Sequence, residues 1–340
     1  MQASRAWRMA ASAAVAAALL LGGGPAPGAE PVTIRAGWVL VPASLLPILF
    51  PKPGIAKHYG TSYTLEITHF SGSPPMITAL AAGEIDIAAI GFSTIGVAVE
   101  NAGISDLRVI ADEMRNGVGD YFTGQYSVLK DSPIRQVEDL RGKVVAANGI
   151  GSGADIILRA VLLKHGMVER KDYTDVEVQF PNMKAMLVDR KIDLATFTAP
   201  YIYDPDVDRL SHPLFLQTAA FGATEMSFWT ARAGFLAQRR QAMVDLLEDY
   251  VRSIRWYLDP ANHAEAVAIV SKIAKMPPAS IDGWLFTKRD YYRDPNGKPD
   301  LDALQKNVEA QAALGLIKAG LIVTDYADLS LVEEAARRVK

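Results

Sequence analysis

The chain has 340 residues, half of them hydrophobic and 21% charged, with 35 Lys and Arg against 38 Asp and Glu for a net charge of −3. That length suits two globular domains, and the absence of a basic surplus or a long basic run excludes nucleic-acid binding. Cysteine is absent, which excludes disulfides, thiolate metal sites and a lipid anchor on an N-terminal cysteine.

The first segment reads as an address. Arg5 and Arg8 precede an apolar run from Met9 to Leu21, followed by the small residues Ala26, Gly28 and Ala29. This is the pattern of a secretory signal peptide over residues 1–29, with cleavage after Gly28 fitting better than cleavage after Ala29. Loss of Arg5 and Arg8, with no acidic residue before Glu30, takes the mature charge to about −5. Export without cysteine points to a bacterial periplasm.

Alternating Val32, Ile34 and Ala36 predict a first strand that ends at Gly37-Trp38. An apolar stretch from Val39 to Phe50 follows, broken by prolines. Tyr63 to His69 predicts a second strand, then Ser71-Gly72-Ser73-Pro74-Pro75 opens a helix over Met76–Ala82 that stops at Gly83. Ile85 to Ile90 is a near-continuous apolar run of the kind buried on both faces of a sheet. It ends at Gly91-Phe92-Ser93-Thr94, where another helix begins. Two strands in succession therefore end in hydroxyl-rich loops, the place where doubly wound sheets hold ligands. Leu107–Ala111 and Tyr126–Leu129 predict strands on either side of a polar, glycine-rich stretch, Asn116–Gln125, placed as the first crossing between domains.

Ile134–Leu140 predicts a short helix. The stretch from Lys143 to His165 then reads strand, glycine turn, helix: Val144–Ala147, then Gly149, Gly151, Ser152 and Gly153, then an apolar helical pattern from Ala154. That arrangement directs unpaired N–H groups and the positive end of a helix dipole at one point, which suits an anion. Gly149, Gly151 and Ala154 also match the dinucleotide pattern G-x-G-x-x-A. The acidic residue that pattern wants is missing where the next strand, Val176–Phe180, runs into Pro181. Asn182–Arg190 predicts a helix, and Ile192–Phe197 a strand ending in Thr198-Ala199-Pro200-Tyr201. Leu214–Thr218 and Ser227–Ala231 predict strands leading back to the first domain. The remainder is helical, led by an amphipathic helix over Gln241–Leu258. The five histidines are scattered, no nucleophile elbow occurs, and Asp204, Asp206 and Asp208 lack the glycine and closing Glu of a calcium loop.

SGSPPMITALAAGEIDIAAIGFSTI (Ser71–Ile95) resembles the first-lobe signature of periplasmic substrate-binding proteins of ABC importers, in the nitrate/taurine/alkanesulfonate-binding (NMT1/THI5-like) branch. VEDLRGKVVAANGIGSGADIILRAVLLKHGM (Val137–Met167) resembles the second-lobe signature, and DRKIDLATFTAPY (Asp189–Tyr201) follows at matching spacing. The resemblance implies a type II periplasmic-binding-protein fold, two doubly wound α/β lobes joined by two crossing strands. Residues 30–124 with 219–340 would form lobe 1, and residues 125–218 lobe 2. It implies that Ser71, Gly72, Ser73, Phe92, Ser93 and Thr94 face the cleft from lobe 1, with Trp38 on the first-strand loop. Ser152 and Gly153 would face them from lobe 2, with Thr198, Pro200 and Tyr201 alongside and Glu225 near the mouth.

The implied function is capture of a small organic anion, a sulfonate, carboxylate or related compound, for an inner-membrane ABC permease. The protein would act as a monomer, with no catalytic residue, metal or cofactor. Departures from the family pattern refine this. Pro42, Pro47, Pro51 and Pro53 interrupt an apolar segment after Trp38, which suggests a more apolar ligand. No acidic residue stands near Thr198 for a ligand ammonium except Asp204, which disfavours taurine. No Arg or Lys lies in the loops, so neutral donors and dipoles would hold a singly charged ligand. The alternatives are a periplasmic sensor or scavenger without a permease, and an enzyme on the same scaffold. The pyrimidine synthases related to this family use a cysteine-rich motif that this chain lacks.

Overall fold

Strands β1 (Val32–Trp38), β2 (Tyr63–His69), β3 (Ile87–Gly91) and β4 (Leu107–Asn116) form one sheet with β10 (Thr224–Arg232), in the order β2-β1-β3-β10-β4. A computed structural model describes residues 30–339, so the expected signal peptide lies outside the described residues. The second sheet takes β5 (Gln125–Leu129), β6 (Val144–Ala147), β7 (Thr174–Glu177), β8 (Leu194–Phe197) and β9 (Ser211–Leu216), in the order β7-β6-β8-β5-β9.

The two sheets repeat one plan. In each, a first strand pairs in parallel with its successor on one side and with the third strand on the other. A strand from across the molecule then inserts antiparallel beyond the third: β10 in the first sheet, β5 in the second. Parallel neighbours need helical crossovers on the faces, so their strands are buried and apolar, as all five residues of β3 are. The result is two doubly wound α/β lobes, as the sequence implies.

Two connections cross between the sheets, residues 117–124 and 217–223. They lie against each other, and the Gln217 N–H donates to the Gly124 carbonyl at 2.8 Å. Gly117 has φ +69°, and a Cβ there would sit 2.2 Å from Thr218 Cγ2; one on Gly124 would sit 2.5 Å from Gln217 Cδ. Any side chain at either position would force the crossings apart.

Helix α1 (Ser73–Ala82) follows β2 and ends on Gly83 at φ 71°. Helix α2 (Ile95–Glu100) follows β3, and α3 (Gly153–Lys164) follows β6. Several expected boundaries shift, the strand expected at Leu214–Thr218 to Ser211–Leu216 among them. β4 runs on from Ala111 through two buried carboxylates to Asn116, each with one oxygen held by a donor from another element, the Asp294 N–H on Asp112 and the Ser227 hydroxyl on Glu113. β7 stops at Glu177. The helix expected at Ile134–Leu140 is only a 3-10 turn over Val137–Leu140, closed by a Gln136–Asp139 capping box.

The helix Arg240–Leu258 anchors the C-terminal half of the first lobe. Tyr250 on it packs against Trp229 of β10 at 4.7 Å between ring centroids. The fully buried Asp249 accepts from the Lys57 and His58 N–H groups at 2.8 and 2.9 Å, from the Tyr63 hydroxyl at 2.9 Å, and from Arg252 at 2.7 Å. One carboxylate thus ties the loop before β2 to the long helix. Asp249→Ala leaves the buried Tyr63 hydroxyl and the Lys57 and His58 N–H groups without this acceptor, and removing one partner of such a network costs about 3–5 kcal/mol. Urea unfolding of the variant should show that loss at unchanged m-value.

Candidate functional site

A cavity of about 90 Å³ lies between the two sheets, at the carboxyl ends of their parallel strands. The first lobe contributes Gly72 and Ser73 at the start of α1, Ala89 and Gly91 of β3, Glu113 and Met114 of β4, and Met226 and Ser227 of β10. The proline-broken segment after β1 supplies an apolar wall, Val39, Leu40 and Ala43, with Ser44 beside it. The second lobe contributes Asn148, the first residues of α3 from Ser152 to Ala154, Phe180 and Thr198, and the second crossing contributes Gln217.

The start of α3 can be accounted donor by donor. The Gly151 N–H is taken by Asp155 Oδ2 at 2.6 Å, the Ser152 N–H by the Gly149 carbonyl at 3.0 Å, and the Asp155 N–H by Ser152 Oγ at 3.3 Å. The Gly153 and Ala154 N–H groups have no intrahelical acceptor, and both residues line the cavity. The Ser152 hydroxyl donates to Asn148 Oδ1 at 2.9 Å. The anion site expected over four N–H groups is therefore narrower: two free N–H groups, with Ser152 as helix cap.

Of the sequence-derived residues, Gly72, Ser73, Ser152, Gly153 and Thr198 line the cavity. The others sit behind it or at the seam between lobes. Ser93 Oγ donates across the seam to the Gly151 carbonyl at 3.1 Å, and Asn148 Nδ2 donates to the Ser71 carbonyl at 3.4 Å. Thr94 is buried and donates to the Gly91 carbonyl at 2.8 Å. Phe92 packs edge-on to Phe221 at 5.7 Å. Trp38 lies 4.7 Å from His69, outside the cavity, while its neighbours Val39 and Leu40 form the wall. Tyr201, next to Pro200, stacks at 6.5 Å on Phe180, which does line it. Glu225, expected near the mouth, is fully buried beside Arg115 at 3.0 Å. Asp204 caps the turn at Asp206 and pairs with Lys184 at 2.5 Å.

Glu177 corrects the reason for setting the dinucleotide pattern aside. β7 ends on this acidic residue, but its carboxylate already accepts the Ile150 N–H of the glycine loop at 2.7 Å. A potential metal cluster, His58 with Asp245 and Glu248, lies away from the cavity. Arg252 and Arg338 already pair with its carboxylates, so the positive charge there is supplied by side chains.

Sequence reasoning missed Glu113, Asn148, Gln217, Ser227 and Tyr291. No Lys, Arg or His is among the described residues that line the cavity, and Glu113 is its only acidic one. Glu113 is 1% exposed and accepts the Ser227 hydroxyl at 2.6 Å. Burial pushes its carboxyl up to about 7, against the opposing effects of Ser227, Arg293 and the Leu45 N–H and with a contribution from Asp112. The signal in the sequence was the Asp112-Glu113 pair inside an otherwise apolar run. Adjacent strand residues face opposite sides of a sheet, so one of the two had to point to the cleft side.

The sign of the pH effect follows. Unfolded, Glu113 loses its proton near the ordinary value of 4.5; folded, it holds it to about 7. Between those values the native state binds more protons, so stability falls as pH rises through the window. Glu113→Gln should remove that fall. Relative to wild type the variant should gain about 2–4 kcal/mol between pH 4 and pH 8, read as the difference in urea unfolding free energies, in which the other titrating groups cancel.

Solved structures of low identity share this fold. The alkanesulfonate-binding protein SsuA of Xanthomonas axonopodis pv. citri, bound to MOPS, matches with a TM-score of 0.68 at 19% identity, over 88% of this chain and 99% of that one. The periplasmic nitrate-binding protein NrtA of Synechocystis PCC 6803 matches with a TM-score of 0.68 at 17% identity, over 92% and 90%. The desulfurization enzyme DSZB matches with a TM-score of 0.64 at 14% identity, over 91% and 100%, and a cysteine-to-serine mutant of it is known with biphenyl-2-sulfinic acid. A search of curated protein sequences gives no match. The NMT1-like family model matches residues 28–271, most of the described chain, and by that match the protein belongs to the NMT1-like family.

Proposed function

We propose that the protein is the solute-binding component of an ABC importer, exported to the periplasm, which captures a small organic anion between its lobes and delivers it to an inner-membrane permease. The observation that carries this reading is the pair of free N–H groups, Gly153 and Ala154, at the head of a 12-residue helix and on the wall of a cavity between two lobes. A helix N-terminus of that kind favours negative charge without any cationic side chain. The structural neighbours that bind sulfonate and nitrate support the reading, and so does the lack, among the described residues, of a helix long and apolar enough to cross a membrane. The lobes are residues 30–124 with 219–340, and residues 125–218, acting as one monomer that closes by hinge motion at the two crossings.

The likeness to a desulfurization enzyme favours a second reading, an enzyme that acts on an aromatic sulfinate. This chain has no cysteine and no histidine on the cavity wall to serve as nucleophile or base. Sulfite release from biphenyl-2-sulfinate would establish the enzyme reading; binding without turnover supports the solute-binding one.

A thermal-shift screen against sulfonates, nitrate, aromatic carboxylates and pyrimidines tests the main proposal, since a ligand of the folded state raises the midpoint by mass action. At least one acid should shift it, and a null result across the anions would sink the anion site. Ser152→Ala, which removes the cap of α3 and its contact with Asn148 and so loosens the turn that presents the two free N–H groups, should weaken that acid by about 1 kcal/mol. Unchanged affinity in calorimetry would leave Ser152 a helix cap alone.

A further inference from the structure

Two carboxyl side chains of β7 support the glycine turn ahead of α3. Residues two apart on a strand share a face, as Asp175 and Glu177 do. Glu177 holds the turn directly, accepting the Ile150 N–H at 2.7 Å. Asp175 reaches it through Asp155. Asp155 is fully buried, accepts the Gly151 N–H on Oδ2 at 2.6 Å and receives Arg159 Nε on Oδ1 at 3.0 Å. The Asp175 side chain has no exposed surface, and its carboxyl stands against that of Asp155. Neither of its oxygens has a donor among the described residues. Arg159 is 3.8 Å away and is already bonded to Asp155 and to Glu169. Three carboxyls therefore surround one guanidinium. A buried carboxylate without a donor is costly, whereas the protonated group can give its own hydrogen to Asp155.

Resting on the reading of the head of α3 as the solute site, we propose that Asp175 is a positioning residue: from beneath the turn it holds Asp155 on the Gly151 N–H, which keeps the Gly153 and Ala154 N–H groups on the cavity wall, and its ionisation weakens the site for an anion. Two effects act together when its proton leaves to solvent. Asp155 loses a donor and gains a negative neighbour, which loosens its hold on Gly151. The head of α3 also acquires an added negative charge beneath it, which opposes a bound anion and offsets the favourable end of the helix dipole. Burial pushes the Asp175 carboxyl up to about 9; the contact with Asp155 adds to the rise, Arg159 opposes it, and Glu169 adds a little more. The two tyrosines packed around the pair stay neutral over that range. Tyr126 of β5, whose hydroxyl donates to the Ala154 carbonyl at 2.5 Å, and Tyr173 before β7 are both pushed up by burial. At neutral pH the turn is therefore set for binding, and it is released as the solution becomes alkaline.

The Gly151 amide reports on Asp155 with no ligand present. In the mature protein labelled on glycine for amide NMR, the wild-type Gly151 signal should move with a midpoint near pH 9. In Asp175→Asn, whose side-chain amide can donate to Asp155 at every pH, it should stay in place. Ethanesulfonate, nitrate and benzoate, all ionised throughout, are then titrated calorimetrically into both proteins at pH 7 and pH 10. Any of them that binds should lose about tenfold in affinity for wild type over that range and much less for Asp175→Asn. Glu113 and the tyrosines titrate alike in the two proteins and cancel. A Gly151 signal that stays in place in wild type, or that titrates alike in both proteins, overturns the proposal, and so does an equal alkaline loss of affinity in both. If the variant folds poorly, the wild-type Gly151 titration decides alone. Acids that bind without any of these differences leave the solute-binding reading intact. Failure of every acid, here and in the wider screen, overturns that reading and with it the role of Asp175 in anion binding.

Discussion

The antiparallel pairing of β4 with β10 is the constraint from which the cleft follows. β10 inserts between β3 and β4, yet it comes from the chain after the second lobe has been built. The chain must therefore leave the first lobe at the end of β4 and return to it at the start of β10, and the two crossings lie side by side. Both strands carry polar groups exactly where the lobes meet: Asp112, Glu113 and Arg115 on β4, Glu225 and Ser227 on β10. Arg115 lies 3.5 Å from Asp112 and 3.0 Å from Glu225; burial pushes both carboxyls up, and the guanidinium between them opposes that rise. The C-terminal segment is fastened to the same place. The Asp294 N–H donates to Asp112 at 2.8 Å, and the Asp300 N–H to Glu225 at 2.8 Å. Arg115 also faces Asp294 at 4.0 Å and Asp300 at 3.8 Å, so one guanidinium draws both strands and the C-terminal segment together where the crossings leave the first sheet.

The two ends of the cavity differ in kind. The α3 end is a set of backbone groups. Its first turn already holds Asp155, which binds Gly151 and pairs with Arg159 at 3.0 Å, so the loop keeps its shape whether or not a ligand is present. The β4 end is a set of side chains, with Glu113 held by the Ser227 hydroxyl at 2.6 Å. Backbone donors bind many acids alike; a buried carboxyl discriminates.

The second-lobe strand, glycine turn and helix were legible in the sequence because each step is local: a run of small apolar residues, glycines that permit the turn, a serine that caps the helix. The hydroxyl loops after β2 and β3 were legible for the same reason, and Ser73 and Gly72 do reach the cavity. What could not be read was which hydroxyls are already used. Thr94 and Ser93 resemble Ser73 in sequence, but one closes its own turn and the other bridges to Gly151, and those partners are set by tertiary contact. Glu113 was hidden by a reasonable rule, that a charged residue ends a buried strand. The rule fails here because Ser227 lies on the neighbouring strand, far along the chain. Likewise Trp38 drew attention by its type, while the wall is made by the less conspicuous Val39 and Leu40 after it.

The seam between the lobes suggests how closure is balanced. The described polar contacts across it include Ser93 to Gly151, Asn148 to Ser71, Thr198 to Tyr291, Tyr203 to Arg289, and Lys164 to Ala219 and Ala220. Each such bond contributes about 0.5–1.5 kcal/mol net, which ordering the side chains and the hinge largely offsets. Gly153 allows a close approach of the two lobes, since a Cβ on it would come 3.2 Å from Met226 Cε and 3.4 Å from Phe92 Cε1, and those side chains would have to give. On the solute-binding reading proposed above, a solute held by groups of both lobes would favour a closed arrangement by its differential affinity for it, and one held by a single lobe would shift the equilibrium little however well it fits that lobe.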